Sequence, residues 1–273
     1  MAWRGLSFSH VWIAGGAGWT AWASWLWVSH DAAAAPWCGW IALSTGLGYT
    51  VQRAIKHRLD PESLPPMRRA FWEKYSTAMA VSWGALWAAF TLRFWGVLDL
   101  ESRIPLLATL GVLGLLYAVV PGTRNGLRAH PGLKVPLVAT AWALATTPDL
   151  TDAAFFTSRW LLVAGLTLPF DVRDLAVDAS RIRTVPMVWG ATTTLRLSVT
   201  LLAASSLFFW GGVRGLEWGA ESLVLGGQGM LAALFVAHPR TATSLEHGNE
   251  AEREWTTGWM LDGVLWLPFV AAL

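Results

Sequence analysis

Nine long apolar stretches limit what this chain can fold into more than any other feature of its sequence. They run at roughly 11–29, 35–52, 76–98, 104–121, 135–150, 157–170, 187–213, 218–237 and 256–273. Because unpaired backbone groups are very costly in lipid, stretches of near-bilayer length are expected to form helices that pack in one bundle. The sequence therefore predicts an all-α polytopic membrane protein with about nine transmembrane helices, in a single domain that spans residues 1–273.

The composition agrees with a membrane protein. Charged residues make up 14% of the chain and hydrophobic residues 54%, whereas about 25% of the residues of a soluble domain are charged. A single cysteine, Cys38, excludes an intramolecular disulfide, and we expect it to be a small buried residue. The run 32–36 faintly resembles a signal-peptidase site, but the apolar stretch before it is longer than a secretory core, so we expect no cleavage there.

The basic residues are distributed unevenly between the segments that join the apolar stretches. With the N-terminus in the cytoplasm, 16 of the 20 Lys and Arg residues fall in cytoplasmic loops and termini. The positive-inside rule favours this orientation. We therefore predict an integral protein of the cell inner membrane, with the N-terminus and the loops at 53–75, 122–134, 171–186 and 238–255 in the cytoplasm. The formal net charge of +2 gives no further information on the orientation. We expect membrane lipids as partners and no nucleic acid.

The segment Pro169–Gly190 places more ionisable groups in an apolar setting than any other part of the chain. Asp171, Asp174 and Asp178 are spaced i, i+3 and i+7, so a continuous helix would carry all three carboxylates on one face. At an effective dielectric of about 20, two carboxylates about 5 Å apart repel by on the order of 3 kcal/mol. A hard divalent cation such as Mg²⁺, bridging to phosphate oxygens, would relieve that repulsion. The alternative is a solvated helix end at which these acids pair with neighbouring arginines.

Two basic segments follow the second and fourth apolar stretches. The first, at 53–75, contains three prolines and is expected to be a polar loop. The second, at 117–134, is rich in glycine and proline and is expected to be a compact turn. Each segment either meets an anionic ligand or faces lipid head groups, as basic loops beside a membrane usually do. A further segment, 238–254, is expected to be a solvated connector.

These features resemble the UbiA superfamily of intramembrane prenyltransferases over nearly the full chain. In that family the second aspartate motif reads roughly Asp-x-x-x-Asp, often preceded by another Asp and followed by a basic residue, Thr-Leu-Pro-Val and a nearby Gly. The matching positions in this chain are Asp171, Asp174, Asp178, Arg181, Arg183, the Thr-Val-Pro-Met run at 184–187 and Gly190. The turn that contains Tyr117, Pro121, Arg124 and Pro131 is similar to the family's Tyr-Pro…Lys loop, with Arg124 at the basic position.

The family's first aspartate motif is not kept. Its Asn-Asp-x-x-Asp-x-x-x-Asp pattern falls on Gly48, Tyr49, Gln52 and Lys56, so all three acids are missing, and only the Arg53 that often follows the central Asp remains. In the family the two motifs face each other and hold Mg²⁺ ions on a prenyl diphosphate. The resemblance therefore implies that this chain lacks the ligands of one metal position. Either Lys56 supplies positive charge to phosphate directly, or the site has decayed.

The resemblance implies a membrane protein that binds a polyisoprenyl diphosphate, with Mg²⁺ as cofactor, and transfers the prenyl group to an aromatic, quinone-precursor or tetrapyrrole acceptor. The expected catalytic residues are Asp171, Asp174 and Asp178, of which Asp174 and Asp178 are the expected metal ligands. The expected diphosphate-binding residues are Arg53, Lys56, Arg124 and Arg128. One alternative is a non-catalytic UbiA-like subunit that binds a pigment, quinone or lipid in a Trp-lined groove. The other is a membrane terpene cyclase of the same superfamily, which needs no external acceptor.

Overall fold

The computed structural model describes residues 2–29, 35–59, 61–101, 103–118, 132–178, 183–212 and 220–272. Every regular element in these ranges is a helix, which confirms the predicted all-α class. The α-helices are α1 (Ala2–Phe8), α2 (Val11–Ser29), α3 (Ala35–Leu59), α4 (Pro66–Arg93), α5 (Trp95–Leu98), α6 (Ile104–Ala118), α7 (Lys134–Thr146), α8 (Ala153–Arg173), α9 (Leu175–Asp178), α10 (Val185–Trp189), α11 (Ala191–Gly212), α12 (Ala220–Ala237), α13 (Pro239–His247), α14 (Glu250–Glu254) and α15 (Leu267–Ala272). Pro61–Ser63 and Val264–Trp266 form 3₁₀ turns, and Trp255–Leu261 forms a π-helical segment.

Helices α3 and α4 extend well beyond the apolar stretches that predict them. Helix α3 continues through Lys56 to Leu59, and α4 begins at Pro66. Basic residues in the last turn of α3 interact favourably with the negative end of the helix dipole. A proline fits the first turn of α4 because no N–H donor is needed there. The prediction of a polar loop over 53–75 was therefore wrong, since only residues 60–65 join the two helices.

Helices α8, α11 and α12 approach one another closely through small residues. A Cβ atom added at Gly165 of α8 would lie 2.6 Å from Cγ of Leu202 on α11, and one at Gly229 of α12 would lie 2.4 Å from the carbonyl oxygen of Leu202. The Ser198 hydroxyl donates to the carbonyl oxygen of Gly165 at 2.7 Å. Small residues that allow such approach are typical of helix association in membranes. These contacts fix α8, which leads into the aspartate segment, against its neighbours.

Stacked indoles join α2 to residues 255–272, which we call the C-terminal segment. The ring centroid of Trp12 lies 4.0 Å from that of Trp259 and 4.7 Å from that of Trp266. Nε1 of Trp12 donates to the carbonyl oxygen of Trp259 at 3.0 Å, and Nε1 of Trp266 donates to that of Trp12 at 2.9 Å. Both indole N–H groups are thus satisfied, as buried tryptophans require. The contacts bring the C-terminal segment beside the first long helix.

One end of the bundle, which we call the charged end, gathers the ends of α3 and α8 and the starts of α4, α7 and α14. Glu250 of α14 accepts hydrogen bonds from the first turn of α4 at 3.1 Å. Lys134, the first residue of α7, pairs with Asp171 near the end of α8. Helix α8 ends at Arg173, and the separate helix α9 carries Asp178. The continuous helix considered for the three aspartates is therefore not formed.

Among the described residues, two helices are long and apolar enough to cross a membrane, Ala153–Arg173 and Ala191–Gly212. A third candidate is the pair Ser222–Ala237 and Pro239–His247, which is bent by 65°. Helical segments overlap all nine apolar stretches of the sequence. The all-α bundle is thus confirmed, while the number of about nine transmembrane helices stays a prediction.

Candidate functional site

A cavity of about 190 Å³ lies at the charged end, between α3, α4, α7, α8 and the C-terminal segment. Its charged lining residues are Arg53, Lys56, Arg68, Lys134, Arg173, Asp174, Asp178 and Asp262. Five cations and three acids therefore face the cavity, which leaves an excess of positive charge in its wall. Low-dielectric walls of one predominant sign concentrate ligands of the opposite sign. The charge of the cavity favours an anionic ligand.

Asp174 faces the cavity with both carboxylate oxygens held by the preceding arginine. Nε and Nη2 of Arg173 donate to Oδ1 and Oδ2 of Asp174 at 2.7 Å and 2.9 Å. Burial opposes the negative charge, but the Arg173 guanidinium outweighs it and holds the pKa of the Asp174 carboxyl well below its usual range. The Asp174 side chain remains 25% exposed. It is thus an ionised carboxylate that a ligand in the cavity can reach.

Asp178 lines the cavity at the end of α9, one helical turn beyond Asp174. Within the described ranges no donor hydrogen-bonds to its carboxylate. Burial, followed by the charge of Asp174, raises the pKa of the Asp178 carboxyl. Two carboxylates so close repel each other when both are ionised. A cation bound between them would remove that repulsion.

Glu254 is a buried acid that joins α4, α8 and the C-terminal segment. Its carboxylate accepts a hydrogen bond from Nη2 of Arg68 at 2.5 Å and lies 3.4 Å from Nη1 of Arg173. Nη1 of Arg173 also donates to Oγ1 of Thr257 at 2.9 Å. The prediction of a solvated connector over 238–254 was therefore wrong at its end, because Glu254 is only 1% exposed. This acid orients two of the five cations that face the cavity.

Asp171 lies behind the cavity wall and outside its lining. The Asp171 side chain is buried and forms an ion pair with Nζ of Lys134, which does line the cavity. A buried carboxylate needs such a partner, because its desolvation is otherwise not compensated. Asp171 thus positions the ammonium group of Lys134 in the cavity wall. Its expected catalytic role stays a prediction.

One face of α3 supplies Tyr49, Gln52, Arg53 and Lys56 to the cavity. These residues share a face because they are spaced three to seven positions apart on one helix. Three of them stand where the resemblance places the missing acids of the first aspartate motif. Lys56 lies near enough to Asp178 for a direct electrostatic interaction. The structure therefore brings the altered first motif and the second motif to one cavity.

The part of the cavity away from the charged end is apolar. Its lining residues there are Ile13, Val138, Trp142, Val163, Leu166 and Leu265. On α8 the lining passes from Val163 through Phe170 to Asp174, so the polarity of the wall changes along the helix axis. A ligand with a hydrocarbon tail and an anionic head matches this change.

The seven site residues expected from the sequence fall into three groups. Arg53, Lys56, Asp174 and Asp178 line the cavity, and Asp171 lies behind its wall. Arg124 and Arg128 lie outside the described residues, and their contact with diphosphate stays a prediction. The structure thus brings together the predicted residues of α3 with those that follow α8.

Five residues of the site were not among the seven predicted from the sequence: Arg68, Lys134, Arg173, Glu254 and Asp262. Four of them lie in or next to polar segments, where a charged residue is ordinary and gives no signal. Asp262 carried a usable signal, because it is an acid inside the apolar stretch 256–273. Ionisable residues in such stretches are expensive and tend to mark functional positions.

Solved structures of known proteins match this arrangement of helices. A UbiA homolog from Archaeoglobus fulgidus bound to GPP and Mg²⁺ matches with a TM-score of 0.63 and 15% sequence identity, over 97% of this chain and 98% of that one. This chain has the UbiA fold. The same homolog bound to DMAPP and Mg²⁺ matches with a TM-score of 0.61 and the same identity and coverage. Neither a protein-family model nor a curated protein matches the sequence. The UbiA-like fold expected from the sequence is thus confirmed.

The cavity of this UbiA fold can be tested for its fit to a divalent cation. Within the described residues no three His, Cys, Asp or Glu side chains come together as a metal cage. Asp174 and Asp178 nevertheless offer hard oxygen donors on one wall of the cavity. Mg²⁺ is usually bound by one or two carboxylates together with substrate phosphates and water, and not by an all-protein cage. The residues present therefore fit an Mg²⁺ ion that completes its coordination with phosphate oxygens.

Proposed function

We propose that this protein binds a prenyl diphosphate together with Mg²⁺ and transfers the prenyl group to a lipophilic acceptor. The observation that carries the proposal is the division of one cavity into a cationic end with two aspartates and an apolar end. The solved structures with the same fold hold GPP or DMAPP with Mg²⁺, ligands of matching polarity. An aromatic, quinone-precursor or tetrapyrrole acceptor would complete the reaction.

The residues of this chain act on the reaction mainly through charge. Arg53, Lys56 and Arg68 would bind the diphosphate head, and the apolar end would hold the prenyl tail away from water. When the allylic carbon–oxygen bond breaks, its electron pair stays on the diphosphate, and these cations stabilise the growing negative charge. Mg²⁺, held by Asp174 and Asp178, would supply Lewis-acid stabilisation at the same oxygens. Asp171 and Glu254 keep the cations in place.

The altered first motif favours a second candidate, a non-catalytic subunit that binds a prenyl diphosphate or another amphipathic anion without cleaving it. Tyr49, Gln52 and Lys56 stand in the cavity wall where carboxylates would hold a second metal ion. Fewer metal ions give less stabilisation of the leaving diphosphate. Binding and cleavage must therefore be measured separately.

The proposal is tested with the purified full chain in detergent, geranyl diphosphate and Mg²⁺. Ligand at about 100 times its dissociation constant stabilises a folded protein by about 2.7 kcal/mol, so we expect a clear rise in Tm that needs both components. Release of diphosphate, followed with an enzyme-coupled assay, then separates the transferase from the binding subunit. No rise in Tm would contradict both readings.

Replacement of Lys56 by methionine is expected to weaken binding of geranyl diphosphate about fivefold to tenfold, because one charge-assisted phosphate contact is removed. The matched control is Arg58→Met, which removes an exposed cation two residues further along the same helix. Titration of Tm against ligand measures both affinities. Equal losses in the two variants would show that only the overall charge of the segment matters.

We expect fewer bound metal ions than a protein with both aspartate motifs would hold. Lys56 repels a cation, and the side chains of Tyr49 and Gln52 are poor replacements for carboxylates. A crystal structure with geranyl diphosphate and Mn²⁺ would locate metal by anomalous scattering. Metal is expected beside Asp174 and Asp178, and a second ion coordinated by the α3 face would contradict this assignment.

We propose that the charged end lies on the cytoplasmic side of the cell inner membrane, which the distribution of basic residues supports. Single cysteines at the exposed positions Glu62 and Glu246, introduced into a Cys38→Ala background, are expected to react with a membrane-impermeant maleimide from one side only. A cysteine at Asp149, beyond the opposite end of α7, should react from the other side. Labelling of positions 62 and 246 from different sides would contradict a shared charged end.

A further inference from the structure

One carboxylate of the cavity has no part in the proposed diphosphate site. Asp262 lines the cavity from the C-terminal segment, eight residues after Glu254. The contact between Glu254 and Arg173 fixes Glu254 at the charged end. The segment between the two residues is π-helical, so Asp262 lies about two helical turns further into the bundle. Leu265, one turn beyond, belongs to the apolar part of the lining. Asp262 therefore lies where the charged end meets the apolar end.

The Asp262 carboxylate has no bonded partner within the part of the chain that the structure describes. No hydrogen bond or ion pair reaches it there. By contrast, Asp171, Asp174 and Glu254 each have a cation in contact. Asp178 also lacks a contact partner among the described residues, but it belongs to the proposed metal site. Asp262 is half-buried, and a carboxylate that loses water without gaining a partner is costly. A ligand group that meets this carboxylate would explain why it is kept.

The groups around Asp262 also distinguish it from the diphosphate site. Arg173 and Arg68 interact with it electrostatically from the charged end, Glu254 does so from its own segment, and Tyr49 does so from α3. Neither arginine forms a contact pair with Asp262, because both are engaged with Glu254. Charged groups thus lie around the carboxylate, but among the described residues no cation is in contact with it.

We consider a prenyl diphosphate whose diphosphate head lies among the cations and whose tail lies in the apolar end. Its first carbon atom would then lie where the charged end meets the apolar end, at the level of Asp262. We propose that Asp262 accepts the proton that is lost from carbon after the allylic bond has broken. This inference rests on the proposed function, because it needs a carbocation formed in this cavity. It assigns to this chain's C-terminal segment a chemical step, beside the binding role of the aspartate segment.

The electron and proton balance of the step is complete. The carbon–oxygen bond breaks and its electron pair leaves with the diphosphate. The allylic cation either forms a bond to a ring carbon of the acceptor, whose C–H electron pair then returns to the ring, or takes the electron pair of an adjacent C–H bond to form a new double bond. In both cases the proton passes to the carboxylate of Asp262, which becomes a carboxylic acid and later releases the proton to water.

The test uses the full chain in detergent with geranyl diphosphate, Mg²⁺ and 1-naphthol as an electron-rich acceptor probe. Two quantities are measured. The first is the rate of diphosphate release. The second is a product ratio: the amount of ring-prenylated naphthol and acyclic hydrocarbon, which form by loss of a proton from carbon, divided by the amount of geraniol, which forms when water captures the cation. In Asp262→Asn we expect release to stay within about threefold of the wild type and the product ratio to fall at least about tenfold, since a positioned base contributes on the order of 10²–10⁴. Asp262→Glu, which keeps the carboxylate, should restore most of the ratio.

Stability measurements and a control complete the experiment. Asp262→Asn should unfold at the same or a higher temperature than the wild type, because the substitution removes a half-buried carboxylate that has no cation in contact among the described residues. Asp149→Asn, which alters an exposed aspartate at the opposite end, should leave both measured quantities unchanged. An unchanged product ratio in Asp262→Asn, or a ratio that falls as far in Asp262→Glu, would overturn the role of Asp262 and leave the proposed function standing. A wild type that releases no diphosphate would overturn the cleavage chemistry, and this inference with it.

Discussion

Asp174→Asn is expected to lower Mg²⁺-dependent binding of geranyl diphosphate at least about tenfold, a loss of about 1.4 kcal/mol or more. The substitution keeps the shape of the side chain but removes the negative charge of a cavity carboxylate that is accessible and ionised. It also replaces one of the two acceptor oxygens that hold Arg173 with an NH₂ donor, so we expect a stability loss of about 1–2 kcal/mol without ligand. Arg173 keeps its contacts with Glu254 and Thr257, which should preserve the fold.

The measurement for Asp174 is a paired one. Tm is recorded with and without Mg²⁺ and geranyl diphosphate for the wild type, for Asp174→Asn and for the exposed control Asp149→Asn. The ligand-dependent rise in Tm should be largely lost only in Asp174→Asn. If the variant gains as much as the wild type, Asp174 is a structural partner of Arg173 and not a metal ligand.

Glu254→Gln is expected to destabilise the protein by about 3 kcal/mol, the largest effect on stability that the site predicts. Glu254 is 1% exposed and lies between the guanidinium groups of Arg68 and Arg173. A neutral amide leaves both cations without this shared charge in a buried setting, where an uncompensated ion is costly. Glu246→Gln, on the exposed side of α13, is the matched control and should change stability by no more than about 0.5 kcal/mol.

The same variant also connects stability with the proposed ligand. Once Glu254 is neutral, Arg173 keeps Asp174, but Arg68 has lost its acid partner, which a bound diphosphate can replace. Geranyl diphosphate with Mg²⁺ should therefore raise the Tm of Glu254→Gln by at least as much as it raises that of the wild type. A variant that is as stable as the wild type without ligand would show that Glu254 is not needed to hold the two arginines.

The sequence by itself determined the class of fold, the burial of Cys38 and four residues of the cavity lining. Long apolar stretches require helices in lipid, and this constraint depends only on composition along the chain. By contrast, the sequence predicted a loop from residue 53, so the helix face that Lys56 shares with Tyr49 and Gln52 was found only in the structure. The fold class and the burial of Cys38 are confirmed because each depends on composition along the chain, whereas the roles of the site residues stay predictions.

Only the tertiary structure decided which charges meet. Arg68 and Glu254 are 186 positions apart, and Lys134 and Asp171 are 37 apart, so no local pattern shows that they form pairs. These contacts depend on which helix ends come together in the bundle. The break after Arg173 and the helical course of residues 53–59 also followed from capping and packing, not from hydropathy. Sequence showed that acids and bases were present at the charged end. Packing gave Asp171, Asp174 and Glu254 a cation partner, and it left Asp178 and Asp262 facing the cavity without one among the described residues.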